Sequence, residues 1–266
     1  LCRSFYNYNS PRNKGIDWVI DYQPVREIPP LKLLINTKEF IGWNIFFLGY
    51  YELETDTVLS RFIKEGMYVV EAGAHIGSET VLLGKLVGDT GRVYAFEPNP
   101  FMLKRLRLNI GLNDFEEKVV TSATALGDAS GDISFFVDNE NEPNQGRASK
   151  YRYDAQTIEI TARQQRLDDW VRDNNIPRID FIKMDVQGAE IDILHGAAAT
   201  ISQFKPMIFA EASATMQGNS KYSMEALHHT LSSFGYAVHL IAPGGTLRHI
   251  PKTALVSGNW LAIPQQ

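Results

Sequence analysis

The segment VVEAGAHIGSET, Val69 to Thr80, constrains the fold more than any other stretch, because it reads as a buried strand that stops at an acid, turns through glycines and opens a helix. Val69 and Val70 are β-branched and apolar, Glu71 stands where the strand should end, and Gly73 and Gly77 admit a backbone approach that a Cβ would block. Val81, Leu82 and Leu83 continue a helix whose N-terminal amides face the turn. A second acid follows at a telling distance. Arg92 to Phe96 reads as the next strand, and Glu97-Pro98-Asn99 ends it about 20 residues beyond the glycine turn, where such folds hold a ribose by its hydroxyls.

Two cofactor classes share this layout, and the residues separate them. A dinucleotide turn carries G-x-G-x-x-G, whose second glycine makes room for a pyrophosphate, whereas Ala74 and His75 follow Gly73 here. A carboxylate at Glu71 repels a pyrophosphate and suits a cationic ligand. S-adenosylmethionine, with its sulfonium and ammonium, is such a ligand.

Charge and composition exclude other classes. The chain has 26 Lys plus Arg against 31 Asp plus Glu, a net charge of −5, which gives no electrostatic footprint for nucleic acid. Its richest apolar run, Ile41 to Tyr51, is interrupted by Gly42, Asn44 and Gly49 and falls short of the roughly 20 residues of a membrane helix. Cys2 is the only cysteine, so no disulfide framework or zinc cluster is expected, and a reducing cytoplasmic setting fits. No signal peptide is legible.

Along the chain, residues 1–60 are punctuated by Pro11, Pro24 and Pro29-Pro30 and read as an N-terminal cap before a domain over 61–266. Lys38 to Tyr51 suggests a strand pair turning near Gly42, and Thr55 to Lys64 a helix with Val58, Leu59, Phe62 and Ile63 on one face. Alternating units follow: strand Tyr68 to Glu71, helix Ser78 to Val87, strand Val93 to Phe96, helix Pro100 to Ile110 and strand Val119 to Ala125. That order implies an α/β, Rossmann-like and mostly parallel sheet. Asp132 to Val137 and Thr157 to Thr161 read as strands flanking a polar insertion, 138–156. The alternation resumes with helix Leu167 to Asn174, strand Phe181 to Met184, helix Glu190 to Ser202, strand Met207 to Ala210 and helix Ser223 to Phe234. Tyr236 to Ile241, the turn Pro243-Gly244-Gly245 and a strand near Asn259 to Ile263 predict a C-terminal antiparallel strand pair.

A second motif, IDFIKMDVQGAE, brings Asp185 to the carboxyl edge of the sheet, where open α/β sheets bind ligands, and begins a helix at Glu190. Together with VVEAGAHIGSET, AFEPNP, the ALGD of Ala125 to Asp128, RLDDW from Arg166, FAEAS from Phe209 and GYYELETDTVLSRFIKEG from Gly49, it resembles the FkbM family of S-adenosylmethionine-dependent methyltransferases. The family usually has Asp where Glu71 stands, Asn where His75 stands and often Glu where Gln187 stands. The resemblance implies a class I methyltransferase fold in which Glu71, Gly73, Ala74, His75 and Gly77 line the methionine side of the cofactor. Glu97, with Pro98 and Asn99, would meet its ribose, and Gly127 and Asp128 its adenine.

Methyl transfer from a sulfonium asks the protein mainly to align the acceptor and remove its proton. Asp185 suits positioning or deprotonating a hydroxyl, and equally suits binding the cofactor's ammonium group or capping the next helix. Glu190 either faces the site or sits in a helix's first turn, and Glu211 joins Asp185 at the rim. His195 reads as packed or solvent-facing. Asp185 and Glu211 raise the question of a divalent cation, but Ala212 and Ser213 supply no good third ligand, so no metal is expected. Asn139, Asn141, Asn144, Gln145, Arg147, Tyr151 and Tyr153 give the insertion groups suited to a sugar-like acceptor. The expectation is an O-methyltransferase acting on a small molecule, sugar or glycan. An NAD-dependent oxidoreductase or a non-catalytic binding module of the same fold are its rivals. Oligomeric state is not legible.

Overall fold

The computed structural model describes residues 15–137, 148–149, 157–186, 188–212 and 223–265. The chain enters as an antiparallel ribbon, β1 (Asp17–Tyr22) and β2 (Leu31–Asn36), followed by helices α1 (Phe40–Leu48) and α2 (Leu53–Phe62). The expected units then appear as β3 (Tyr68–Ala72), α3 (Ser78–Leu86), β4 (Arg92–Phe96), α4 (Pro100–Gly111) and β5 (Val119–Ser122). Asn99 caps α4, its Oδ1 accepting from Phe101 N at 3.0 Å, and Pro100 takes the first helical position, where its missing N–H has no cost.

A second, smaller sheet interrupts the alternation. It consists of β6 (Thr124–Leu126), β7 (Gly131–Val137), β8 (Ala148–Ser149) and β9 (Ile158–Gln165), in the order β6-β9-β7-β8. The main chain of units then continues with α5 (Leu167–Asp173), β10 (Phe181–Met184), α6 (Glu190–Gly196), α7 (Ala198–Phe204), β11 (Met207–Ala212) and α8 (Met224–Ser233). It ends with β12 (Tyr236–Ala242), β13 (Thr246–His249) and β14 (Gly258–Pro264).

The main sheet has the order β13-β12-β14-β11-β10-β3-β4-β5. β5, β4, β3, β10 and β11 run parallel, and β14 lies antiparallel between β11 and β12. β3 and β10 are central and sealed on both faces, which explains why their sequences are nearly continuous apolar runs. Val69, Phe181 and Phe209 pack on one face with Leu33, Ile35, Ile45, Val58 and Leu59 from the N-terminal elements. Val70, Ile182 and Ile208 pack on the other with α5 to α8. By strand alternation, Glu71, Lys183 and Glu211 therefore point to the face covered by α2, α3 and the β1–β2 ribbon.

Four elements differ from expectation. Phe40–Leu48 is a helix, not part of a strand pair. Its backbone lies so close to β2 that a Cβ on Gly42 would overlap the carbonyl oxygen of Asn36, so packing on β2 overrides the aromatic, strand-like composition. Val119 to Ala125 breaks at Ala123, with β5 staying in the main sheet and β6 leaving it. Glu190 to Ser202 is two helices parted at Ala197, whose ψ of 9° is not helical. The expected C-terminal antiparallel pair is present as β12 and β14, and an unforeseen third strand, β13, adds to β12 at the sheet edge.

Candidate functional site

Three strand ends are locked together at the carboxyl edge. Gly73 N and Ala74 N both donate to Phe96 O, at 3.0 and 3.1 Å, and Asp185 N donates to Ala72 O at 3.1 Å. Gly73 has φ of +83°, and a Cβ there would overlap the carbonyl oxygen of Asp185, so the turns after β3 and β10 touch backbone to backbone. Glu97 ties the turn to the end of β4: Oε2 accepts from His75 N at 2.7 Å and Oε1 from Asn99 N at 2.8 Å. Burial pushes its carboxyl up to about 7 against the pull of those two amides. Each oxygen retains acceptor capacity, as a ribose diol requires. Asn99 is buried as the α4 cap, and Pro98 beside it is half-buried.

Beneath the turn lies an ionic cluster. Glu71 is fully buried; its Oε2 accepts from Thr80 Oγ1 at 2.6 Å, and its buried Oε1 has no hydrogen-bond partner. Burial drives this carboxyl up to about 8, partly offset by Lys183. Lys183 is the strand neighbour of Glu71 on one side and of Phe209 on the other. Its Nζ sits 2.5 Å from Glu79 Oε2 and 3.9 Å from Asp185 Oδ2, and 5.8 Å from the centre of the Phe209 ring.

Asp185 follows β10, and Glu211 stands on the adjacent β11. Glu211, at the end of β11, is half-buried and shares a hydrogen bond with Asp185; burial and that neighbouring carboxylate push it up to about 8. Opposite Glu211 in register stands Asn259 of β14, whose Nδ2 donates to Glu52 Oε2 at 3.2 Å and to Thr55 Oγ1 at 2.9 Å. Burial raises Glu52 to about 7, with Glu79 and Asp185 adding to it. Tyr51 is part of the same group, its hydroxyl raised by burial and by Glu52, Asp185, Glu79 and Glu211. Segment 51–56 thus covers the edge where Asp185 and Glu211 emerge.

Glu190 takes a different place. It is buried and its oxygens accept from Val186 N at 3.3 Å and Gly188 N at 3.1 Å, so it fastens the loop that carries Asp185. Gly77 is the buried N-cap of α3. Gly127 lies against Gly196 of α6, at the seam with the second sheet, and Asp128 beside it is exposed, as is His195. Gln187, Ser213 and the insertion residues Asn139, Asn141, Asn144, Gln145, Arg147, Tyr151 and Tyr153, like Cys2, lie outside the described residues. Among the described residues no three His, Cys, Asp or Glu side chains are arranged to hold a metal ion, and no helix is long and apolar enough to cross a membrane.

The sequence did not single out Lys183, Glu79, Tyr51, Glu52 or Asn259. One signal was available: a lysine inside the apolar strand FIKM has no reason to be buried unless carboxylates meet it.

The chain is similar to proteins of one family. The profile of the Methyltransferase FkbM domain matches residues 71–238. The 2-O-methyltransferase NoeI of Sinorhizobium fredii is 26% identical over 189 residues, covering 66% of this chain and 76% of that protein. The hexuronic acid methyltransferase AglP of Haloferax volcanii is 28% identical over 145 residues, covering 54% and 56%. The crystal structure of methyltransferase FkbM from Methylobacillus flagellatus is 20% identical, with a TM-score of 0.48, over 73% of this chain and 43% of that one.

Proposed function

The chain belongs to the methyltransferase FkbM family, and we propose that it methylates a hydroxyl of a small molecule, sugar or glycan. It is an S-adenosylmethionine-dependent methyltransferase with the class I fold. The observation that carries the reading is the backbone contact of Gly73 with Asp185, which joins the cofactor turn to the acceptor-side acid. The residues fit the cofactor. Glu71 offers a buried oxygen with no hydrogen-bond partner to a cationic group, and Glu97 offers two oxygens to a diol. The names of the two relatives, one a 2-O-methyltransferase and one acting on a hexuronic acid, support a sugar-like acceptor.

When bound, S-adenosylmethionine supplies a methyl group on a sulfonium, already activated for in-line displacement. Asp185 and Glu211 then handle the proton. Glu211, pushed up to about 8, keeps its proton at neutral pH and shares it with Asp185 in a hydrogen bond, which aims Asp185 at the acceptor's hydroxyl, whose proton Asp185 takes as the methyl group is transferred. Glu190 fixes the loop that follows Asp185, and Tyr51 and Glu52 stand beside the same acids.

Calorimetric titration with S-adenosylmethionine tests the donor half; no binding at millimolar ligand would overturn it. Turnover on a panel of glycosides tests the other half. Asp185→Ala should reduce turnover about 100-fold or more with little change in cofactor affinity. Equal loss of both assigns Asp185 to the cofactor's ammonium group instead.

A further inference from the structure

Lys183 is the only buried lysine or arginine among the described residues, and it is fully covered. It stands in FIKM, whose other three side chains are apolar and buried. Burying an ammonium is costly, and an apolar residue at such a place is often neutral or stabilising, so packing does not explain it. Carboxyls reach it from three elements: Glu71 from β3, Glu79 from α3, and Asp185 two residues on along its own chain. From α2 and the residue before it, Asp56 and Glu52 feel its charge, and Asp56 is itself held by Tyr22 Oη at 3.2 Å. Glu211 and Tyr51 enter through Asp185.

We infer that Lys183 is a positioning residue: it ties Glu79 of the cofactor-turn helix to Asp185 on the acceptor side, the one fixed positive charge that both carboxyl groups share. The geometry carries this. Glu79 belongs to the first turn of α3, directly after the glycine turn, and Asp185 ends β10, so one ammonium spans the donor and acceptor sides. Its side chain is held in line by the Phe209 ring. Without it, the cluster holds carboxyls alone, and the charge that opposes the effect of burial at Glu71 and Glu52 is lost.

The inference rests on donor binding as proposed above, and its test separates the two. Affinity for S-adenosylhomocysteine is measured by calorimetry from about pH 5.5 to about pH 9, giving the pH at which affinity reaches half its maximum. In Lys183→Met that midpoint should rise by about one pH unit, and Lys183→Arg should restore it. Glu79→Gln removes a negative charge and leaves the ammonium to Asp185, so its midpoint should fall. A lysine that merely holds the fold would lower the melting temperature and leave both midpoints in place, and that result overturns the inference. If Lys183→Met does not fold, Glu79→Gln decides alone. Absence of binding by the unaltered protein at every pH would instead overturn the donor assignment.

Discussion

His75 adopts φ of 52°, the left-handed region that costs most L-residues roughly 1–2 kcal/mol and that Asn tolerates best. The backbone N–H of residue 75 holds Glu97 whatever its side chain, so His75→Asn should keep cofactor affinity and gain about 0.5–1 kcal/mol, read as a rise in melting temperature. A fall would mean that the imidazole, rather than the backbone, governs the position. Gly73→Ala is the opposite case. Left-handed strain and overlap with the Asp185 carbonyl add, so cofactor binding should be lost along with several degrees of melting temperature.

At the level of elements, α1 shows how tertiary contact overrides propensity. Nothing in FIGWNIFFL favours a helix strongly, and its aromatic residues suit a strand equally well. The close approach of Gly42 to Asn36 settles it, so Gly42→Ala should destabilise by about 1–3 kcal/mol despite the better helix propensity of alanine. Chemical denaturation checks this, and a stabilised variant would refute the packing argument. α4 and α8 were legible because local chemistry starts them: Asn99 and Ser223 accept from the amides of Phe101 and Ala226 at 3.0 and 3.2 Å. The departure of β6 into the second sheet has no such local mark, since Val119 to Ala125 is a plausible single strand until its neighbours are known.

Across the whole molecule, buried acids set the response to pH. Burial raises Glu97 and Glu190 to about 7 and Glu71 and Glu211 to about 8, all above their unfolded values near 4.5. The folded state therefore binds more protons than the unfolded state between those limits, and this contribution is complete below about pH 4.5 and lost as pH rises through 7 to 8. The melting temperature of the ligand-free protein should fall from about pH 6 to about pH 8.5, and S-adenosylmethionine should reduce the fall; a rise over this window would contradict it. The sequence by itself determined the alternating units, the two acid-ended strands with their glycine turns and the family, because strand burial, caps and glycine turns are written in adjacent residues. Only the tertiary structure decided what those acids meet. Glu52 and Asn259 are 207 residues apart, and Lys183 and Glu79, which form an ion pair, are separated by 104 residues of sequence. Those meetings follow from the order of strands in the sheet, a long-range property that no local pattern of residues encodes.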